Sequence, residues 1–271
     1  MINQGIALEA YGRTDIGRVR DSNQDAFVIA DLGGSQPIHA MLRPLEMEVG
    51  ERGVLLAVAD GIGGAHAGAV ASALTLEWLR RSRGGGKPSA AEANLTPSVE
   101  RANRRVWETI DGPERDGRAA ALAAVLIDGT DAFVAEVGES RAYVQRGSHL
   151  TPLAHDESCM NVMQDAGNVI RERVGSFQYK NVIQQALGAD PDAVLALNRF
   201  ALQRGDRILL CSDGLTRELD ERDIRAILAT TPILDVACAR LIELSNSRGG
   251  QDNVTVLVAD VSGERLQDFT A

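Results

Sequence analysis

The sequence predicts an α+β fold in which helices cover antiparallel sheets. Two observations carry it. Apolar runs of strand length arrive in groups, and helical patterns stand between the groups. Two runs, "GVLLAVADG" and "DRILLCSDG", are unbroken enough to be buried strands, and each ends on Asp-Gly. With 271 residues, 44% of them hydrophobic, the chain can bury a large core. No repeat or linker divides it, so residues 1–271 are expected to form one domain with its core over about 5–262.

The elements follow in order. Ile6–Tyr11 and Ala26–Ala30 read as strands, and residues 31–52, with Gly and two Pro, as a connecting excursion. Val54–Ala59 is a strand closed by Asp60. Ala65–Arg83 spaces small and apolar residues as a helix does. "GGGKPSAAEANLTP" is a break. Thr96 with Pro97 is expected to cap and open a second helix that runs to about Ile110. From Ala119 to Leu153 short apolar runs are split by Asp-Gly and Gly-Glu turns, an antiparallel meander. Residues 152–192 read as irregular. Strands at 194–200 and 207–212, helices at 220–229 and 233–246, and a strand at Val254–Val261 complete the chain.

Composition removes several function classes. No apolar run approaches the roughly 20 residues of a membrane helix, and the N-terminus lacks the basic-then-apolar pattern of a secretory leader. Cys159, Cys211 and Cys238 are too scattered for a disulfide framework or a zinc cluster, so a cytoplasmic location is expected. A net charge of −10 argues against a nucleic-acid surface.

Four aspartates share one kind of position. Asp25 precedes "AFVIA", Asp60 ends "VLLAVA", Asp213 follows "ILLCS", and Asp252 precedes "NVTVLVAD". A charge beside a buried strand costs several kcal/mol unless it is paired or binds a cation. A single Asp-Gly is an ordinary turn, the reading preferred for Asp111-Gly112 and Asp128-Gly129. Four aspartates at the rims of buried strands fit a hard-cation site better, and oxygen ligands favour Mg2+ or Mn2+.

These pieces carry a family resemblance. "RTDIGRVRDSNQDAF", "VADGIGGAHAG", "VGESRAYV", "LTPLAHDES", "GDRILLCSDGL" and "GGQDNVTVLVAD" occur in one order over nearly the whole chain. In that order the chain resembles the metal-dependent serine/threonine protein phosphatases of the type 2C family, in their bacterial form. The resemblance implies a four-layer α-β-β-α sandwich, two antiparallel sheets flanked by helices, with a two-metal site at one end. By position it implies that Asp25, Asp60, the Gly61 carbonyl, Asp213 and Asp252 hold two Mn2+ or Mg2+. It assigns the substrate phosphate to Arg20. Water activated by the ion pair would attack phosphorus in line, without a phospho-enzyme. Partners would be phosphorylated proteins, targets of a serine/threonine kinase.

The chain also departs from the family pattern. Gln24 stands where Glu is frequent. Gly68 is followed by Ala69 rather than Glu, and Ala65 takes the place of a His that comes one residue later, as His66. Ala119-Ala120-Ala121 replaces Gly-Thr-Thr. Gly138-Glu139-Ser140-Arg141 replaces Gly-Asp-Ser-Arg, whose Asp is associated with a third, weaker metal, so Glu139 is the candidate for that position.

Two rival readings accompany this one. Cys211, five residues, then Arg217 is the bare pattern of a cysteine-dependent phosphatase loop, with Cys211 as thiolate nucleophile and Arg217 as phosphate clamp. An Asp two residues after the nucleophile would repel a phosphate, which counts against it. The altered Gly-Thr-Thr and Gly-Asp-Ser segments motivate the second rival, a catalytically weak phosphatase-like domain that binds phosphoproteins. His39, His66, His149 and His155 lie far apart and read as surface or packing residues. His66 is also a candidate general acid, and Asp156 a candidate outer group. Residues 152–192 are expected to flank the site as a flap.

Overall fold

The computed structural model describes residues 5–34, 36–63, 65–81, 92–109, 119–153, 186–192 and 195–269. In chain order the elements are β1 (Ile6–Asp15), β2 (Asp25–Asp31), β3 (Leu45–Glu48), β4 (Val54–Ile62), α1 (Ala65–Arg81), α2 (Glu92–Thr109), β5 (Ala119–Asp128), β6 (Asp131–Val137), β7 (Arg141–Arg146) and β8 (His149–Pro152). Then come β9 (Ala196–Ala201), β10 (Gln203–Arg204), β11 (Arg207–Cys211), α3 (Asp213–Thr216), α4 (Glu221–Thr230), α5 (Leu234–Arg248), β12 (Val254–Gly263) and β13 (Gln267–Asp268).

Two sheets are antiparallel throughout. One runs β3-β1-β12-β11-β7-β8, the other β2-β4-β5-β6-β9, and β10 and β13 add a small parallel pair. Side-chain alternation explains why the sheets stack. Ile6, Leu8 and Ala10 of β1, Ile208 and Leu210 of β11, and Leu257, Ala259 and Val261 of β12 point one way. They meet Phe27 and Ile29 of β2, Leu56 and Val58 of β4, and Val125 and Ile127 of β5 in one buried cluster. The opposite faces are covered by helices. Leu55, Ala57 and Leu126 pack with Leu76, Leu79, Leu95 and Val99 of α1 and α2. Leu209, Cys211, Val256 and Val258 pack with Ile224, Leu228, Leu241 and Ile242 of α4 and α5. The four layers predicted for the chain are therefore present. Truncating a central residue such as Leu210 to Ala should cost about 2–5 kcal/mol.

Two expected features differ. The second helix starts at Glu92, so Thr96 is no cap and Pro97 lies inside the helix. Leu95, Val99, Ala102 and Val106 recur at helical spacing and are all buried, which requires helix before Leu95 and outweighs the hydrogen bond Pro97 cannot donate. The expected meander is also broken. β5 and β6 form a hairpin through Asp128-Gly129, but β7 pairs with β11 and β8 in the other sheet. The chain changes sheets at Gly138-Glu139-Ser140. Gly138 takes φ +80°, a left-handed turn that costs glycine little. The corner is tied by Ala142 N–H donating to Glu136 Oε1 at 2.7 Å, and by Arg141 donating to the carbonyls of Gly138 (2.7 Å) and Ser140 (3.0 Å). Among the described residues no helix is long and apolar enough to cross a membrane.

Candidate functional site

Antiparallel pairing gathers the predicted residues at one end of the sandwich. β2 begins where β4 ends, β11 ends where β12 begins, and the β6–β7 corner lies at the same end as the close of β11. Asp25 pairs directly with Asp60. Asp25 shares the parity of Phe27 and Ile29, and Asp60 that of Leu56 and Val58, so both carboxylates continue the inward-facing rows. Asp60 lies within β4 rather than ending it, since the strand continues through Gly61 to Ile62. Asp213 is the first residue of α3, and Asp252 stands two residues before β12.

The same alternation decides which neighbour of Asp213 enters the site. Cys211 is an outward residue of β11, packed with Tyr143, Val256 and Leu215 beneath the helices. It is fully buried, and burial pushes its thiol far up from the usual cysteine range. Ser212 turns inward and donates to Asp25 Oδ2 at 2.6 Å. The reading of Cys211 as thiolate nucleophile is thus corrected: strand parity aims the thiol into the core, away from Arg217 and the carboxylates.

Both Asp-Gly pairs are explained by close backbone approach. A Cβ on Gly61 would lie 2.1 Å from the Gly68 carbonyl oxygen and 2.7 Å from that of Gln24. A Cβ on Gly214 would lie 2.0 Å from the Asn253 carbonyl oxygen. Gly68, inside α1, is similarly pressed on Gln24 and Gly61. Gln24 sits at this junction: its carbonyl accepts from Gly61 N–H (3.2 Å) and Ser72 Oγ–H (2.6 Å). Ala119, Ala120 and Ala121 continue β5 opposite Ile62, Gly61 and Asp60, so the methyl of Ala121, not a hydroxyl, stands across from Asp60.

Sequence reasoning missed several positioning residues. Asn253 holds the segment that carries Arg20: its Nδ2 donates to the carbonyls of Ile16 (2.9 Å) and Ser22 (3.0 Å), and its Oδ1 accepts from Gln24 N–H (2.9 Å). Asn23 accepts from Asp25 N–H at 3.0 Å and donates to Thr14 Oγ1 at 2.7 Å. Asn253 adjoins Asp252 and Asn23 lies two residues before Asp25, both inside quoted motifs, and that proximity was the available signal. Ser212 had the same signal. Arg217 enters the site by another role than the clamp considered for it: Nη2 contacts Glu139 Oε2 (2.6 Å) and Asp213 Oδ2 (2.5 Å), and Nη1 lies 3.5 Å from Asp252 Oδ2. Arg20 Nη2 donates to that same oxygen of Asp252 at 2.7 Å.

The electrostatics follow from the crowding. Loss of hydration, then the charges of Asp25 and Asp252, push Asp60 up to about 8. Loss of hydration and the charge of Asp60 push Asp213 up to about 8 against the opposing pull of Arg217. Asp25 is pushed up to about 6 by loss of hydration, with the Ser212 and Thr255 hydroxyls acting the other way. For Glu139 burial also raises the carboxyl, but the hydrogen bond and charge of Arg217 outweigh it and hold it below the usual range.

This donor set suits hard cations. It offers carboxylate oxygens whose mutual repulsion a cation would relieve. Asp213 Oδ1 is buried with no hydrogen-bond partner among the described residues, an oxygen left for a ligand. Among the described residues these side chains do not by themselves close into a three-ligand shell; the cationic groups that meet them are Arg217, on Glu139, Asp213 and Asp252, and Arg20, on Asp252. Other expectations lie elsewhere. His39 Nδ1 lies 3.2 Å from the Phe27 carbonyl oxygen, a packing role, and His149 is exposed at the start of β8. The His66 side chain, Cys159, His155, Asp156 and all of 154–185 fall outside the described residues, as does Asp111-Gly112.

Comparison with known proteins places the chain in a family. Residues 45–242 match the family model described as Protein phosphatase 2C. The serine/threonine protein phosphatase PstP of Mycobacterium tuberculosis is 31% identical over 258 residues, 94% of this chain and 45% of PstP. The chain thus spans about half the length of that relative. A solved PstP catalytic domain in complex with two manganese ions is 30% identical, with a TM-score of 0.71, covering 95% of this chain and 99% of that one. The serine/threonine phosphatase of S. agalactiae is 30% identical with a TM-score of 0.73, covering 93% and 99%.

Proposed function

The chain belongs to the protein phosphatase 2C family, and from that premise we propose that it hydrolyses phosphoserine and phosphothreonine monoesters in proteins. Asp25, Asp60, the Gly61 carbonyl, Asp213 and Asp252 would hold two Mn2+ or Mg2+. One observation carries the reading: four carboxylates and an arginine, brought from four separated segments of the sequence, converge where the core ends, and three of those carboxyls are raised by loss of hydration and then by their neighbours' charge. The bound cations would supply Lewis acidity and an activated water.

The chain's own residues do the rest. Arg20 presents a planar fork to two phosphoryl oxygens, and Asp252 aims it. Ser212 fixes the rotamer of Asp25, and Asn253 ties the Arg20 segment to the start of β12. Residues 5–262 act as one catalytic domain in this reading, and its substrates are phosphoproteins made by a serine/threonine kinase. Cys211 and Cys238 are buried free thiols, which suits a reducing cytoplasm.

The test is hydrolysis of a phosphothreonine peptide with Mn2+ and with EDTA. Turnover that needs the metal supports the proposal. Turnover indifferent to exhaustive chelation sinks it. Mn2+ binding without turnover would favour the second reading, a domain that binds phosphoproteins.

A further inference from the structure

We propose that Arg217 is a built-in counter-cation. Its guanidinium takes the place among Glu139, Asp213 and Asp252 that a third divalent ion would need, so the chain binds two such ions and keeps a third out. The inference rests on the dinuclear reading above.

Three separate elements converge on this one side chain. Glu139 comes from the corner where the chain changes sheets, Asp213 from the first residue of α3, and Asp252 from the approach to β12. Arg217 follows Asp213 by four residues, and its backbone N–H donates to the Asp213 carbonyl at 2.8 Å. That helical spacing sets the guanidinium over the Asp213 carboxylate. Glu139 is presented by a braced corner, since Arg141 binds the carbonyls on both sides of it.

The two oxygens of Asp213 divide the labour. Oδ2 is taken by Arg217, while Oδ1 is buried and has no hydrogen-bond partner among the described residues. One oxygen is thus open to the ion pair and the other is committed to the guanidinium. The length of Glu139 fits this use. A carboxylate one methylene further out than Asp reaches a guanidinium at 2.6 Å without the corner moving. A guanidinium and a divalent ion placed on the same three carboxylates repel each other, so one excludes the other. Arg20 differs in touching Asp252 alone among these groups.

The experiment counts Mn2+ bound to the full chain by equilibrium dialysis and follows the affinities by titration calorimetry. The parent chain should bind two ions, with any further ion at least tenfold weaker than either. Arg217→Met keeps the stem and removes the charge, and should bind three. Adding Glu139→Ala to that variant should return the count to two. Arg217 is 53% exposed, so the substitution opens no core cavity; a circular-dichroism melt checks folding, and Arg217→Gln serves as a second version. Three ions in the parent, or two in both folded Arg217 variants, would overturn the inference and leave the dinuclear reading standing. A parent chain that binds no Mn2+ would overturn both.

Discussion

Ser212 Oγ donates to Asp25 Oδ2 at 2.6 Å and accepts the Thr255 N–H at 2.9 Å, so one hydroxyl joins the end of one sheet to the start of the other. Ser212→Ala removes both contacts. It leaves the Thr255 N–H buried without its acceptor and Asp25 without its nearest donor. The expected loss is about 1.5–3 kcal/mol in a urea melt of the chelated protein, together with weaker Mn2+ binding. Unchanged values of both would mean that Asp25 is positioned by β-pairing alone.

Cys211 and Asp213 offer a direct contest between adjacent chemistries. Cys211→Ser should retain most turnover, because the side chain packs under α4 and α5. It should cost about 1–3 kcal/mol of stability, because a hydroxyl replaces a thiol in an apolar pocket. Asp213→Asn should keep the fold and lose nearly all Mn2+-dependent hydrolysis. A folded but inactive serine variant would restore the thiolate reading.

Arg20 donates to Asp252 and is about half exposed, free to meet a ligand on its open side. Arg20→Ala should raise KM and weaken inhibition by inorganic phosphate. A charge-assisted hydrogen bond is worth about 1.5–3 kcal/mol, so kcat/KM should fall roughly tenfold or more. Steady-state kinetics on a phosphothreonine peptide measure it, and an unchanged kcat/KM would remove Arg20 from the site.

Chelated protein should lose stability as pH rises. Asp60 and Asp213 are raised to about 8 and Asp25 to about 6, from 3.8 in the unfolded chain. Across that window the folded state holds more protons than the unfolded one, so the slope of unfolding free energy against pH is negative. The melting temperature in EDTA should therefore fall between about pH 4 and about pH 8, and the stabilisation given by Mn2+ should grow over the same range as the ligands deprotonate. Asp213→Asn should flatten the slope. A melting temperature in EDTA that rises with pH would contradict the raised carboxyls.

What the sequence determined by itself is local. Runs such as Val54–Val58 and Ile208–Cys211 declare buried strands because their neighbours in sequence are their neighbours in the strand. The four aspartates are visible for the same reason, each standing beside such a run. Tertiary structure alone decided the rest. The bond from Ser212 to Asp25 spans 187 positions of the chain, and the bond from Asn253 to Ile16 spans 237. The sheet change at Glu139 depends on which strand β7 meets, and the start of α2 depends on Leu95 finding a buried face. Arg217 reads in sequence only as the phosphate clamp of the Cys211-x5-Arg217 pattern, a reading that the burial of Cys211 overturns. It became part of the site only when two stacked sheets brought Glu139 and Asp252 within reach of it, because electrostatic contact is set by distance in space and sequence encodes that distance only through the packing of the whole core.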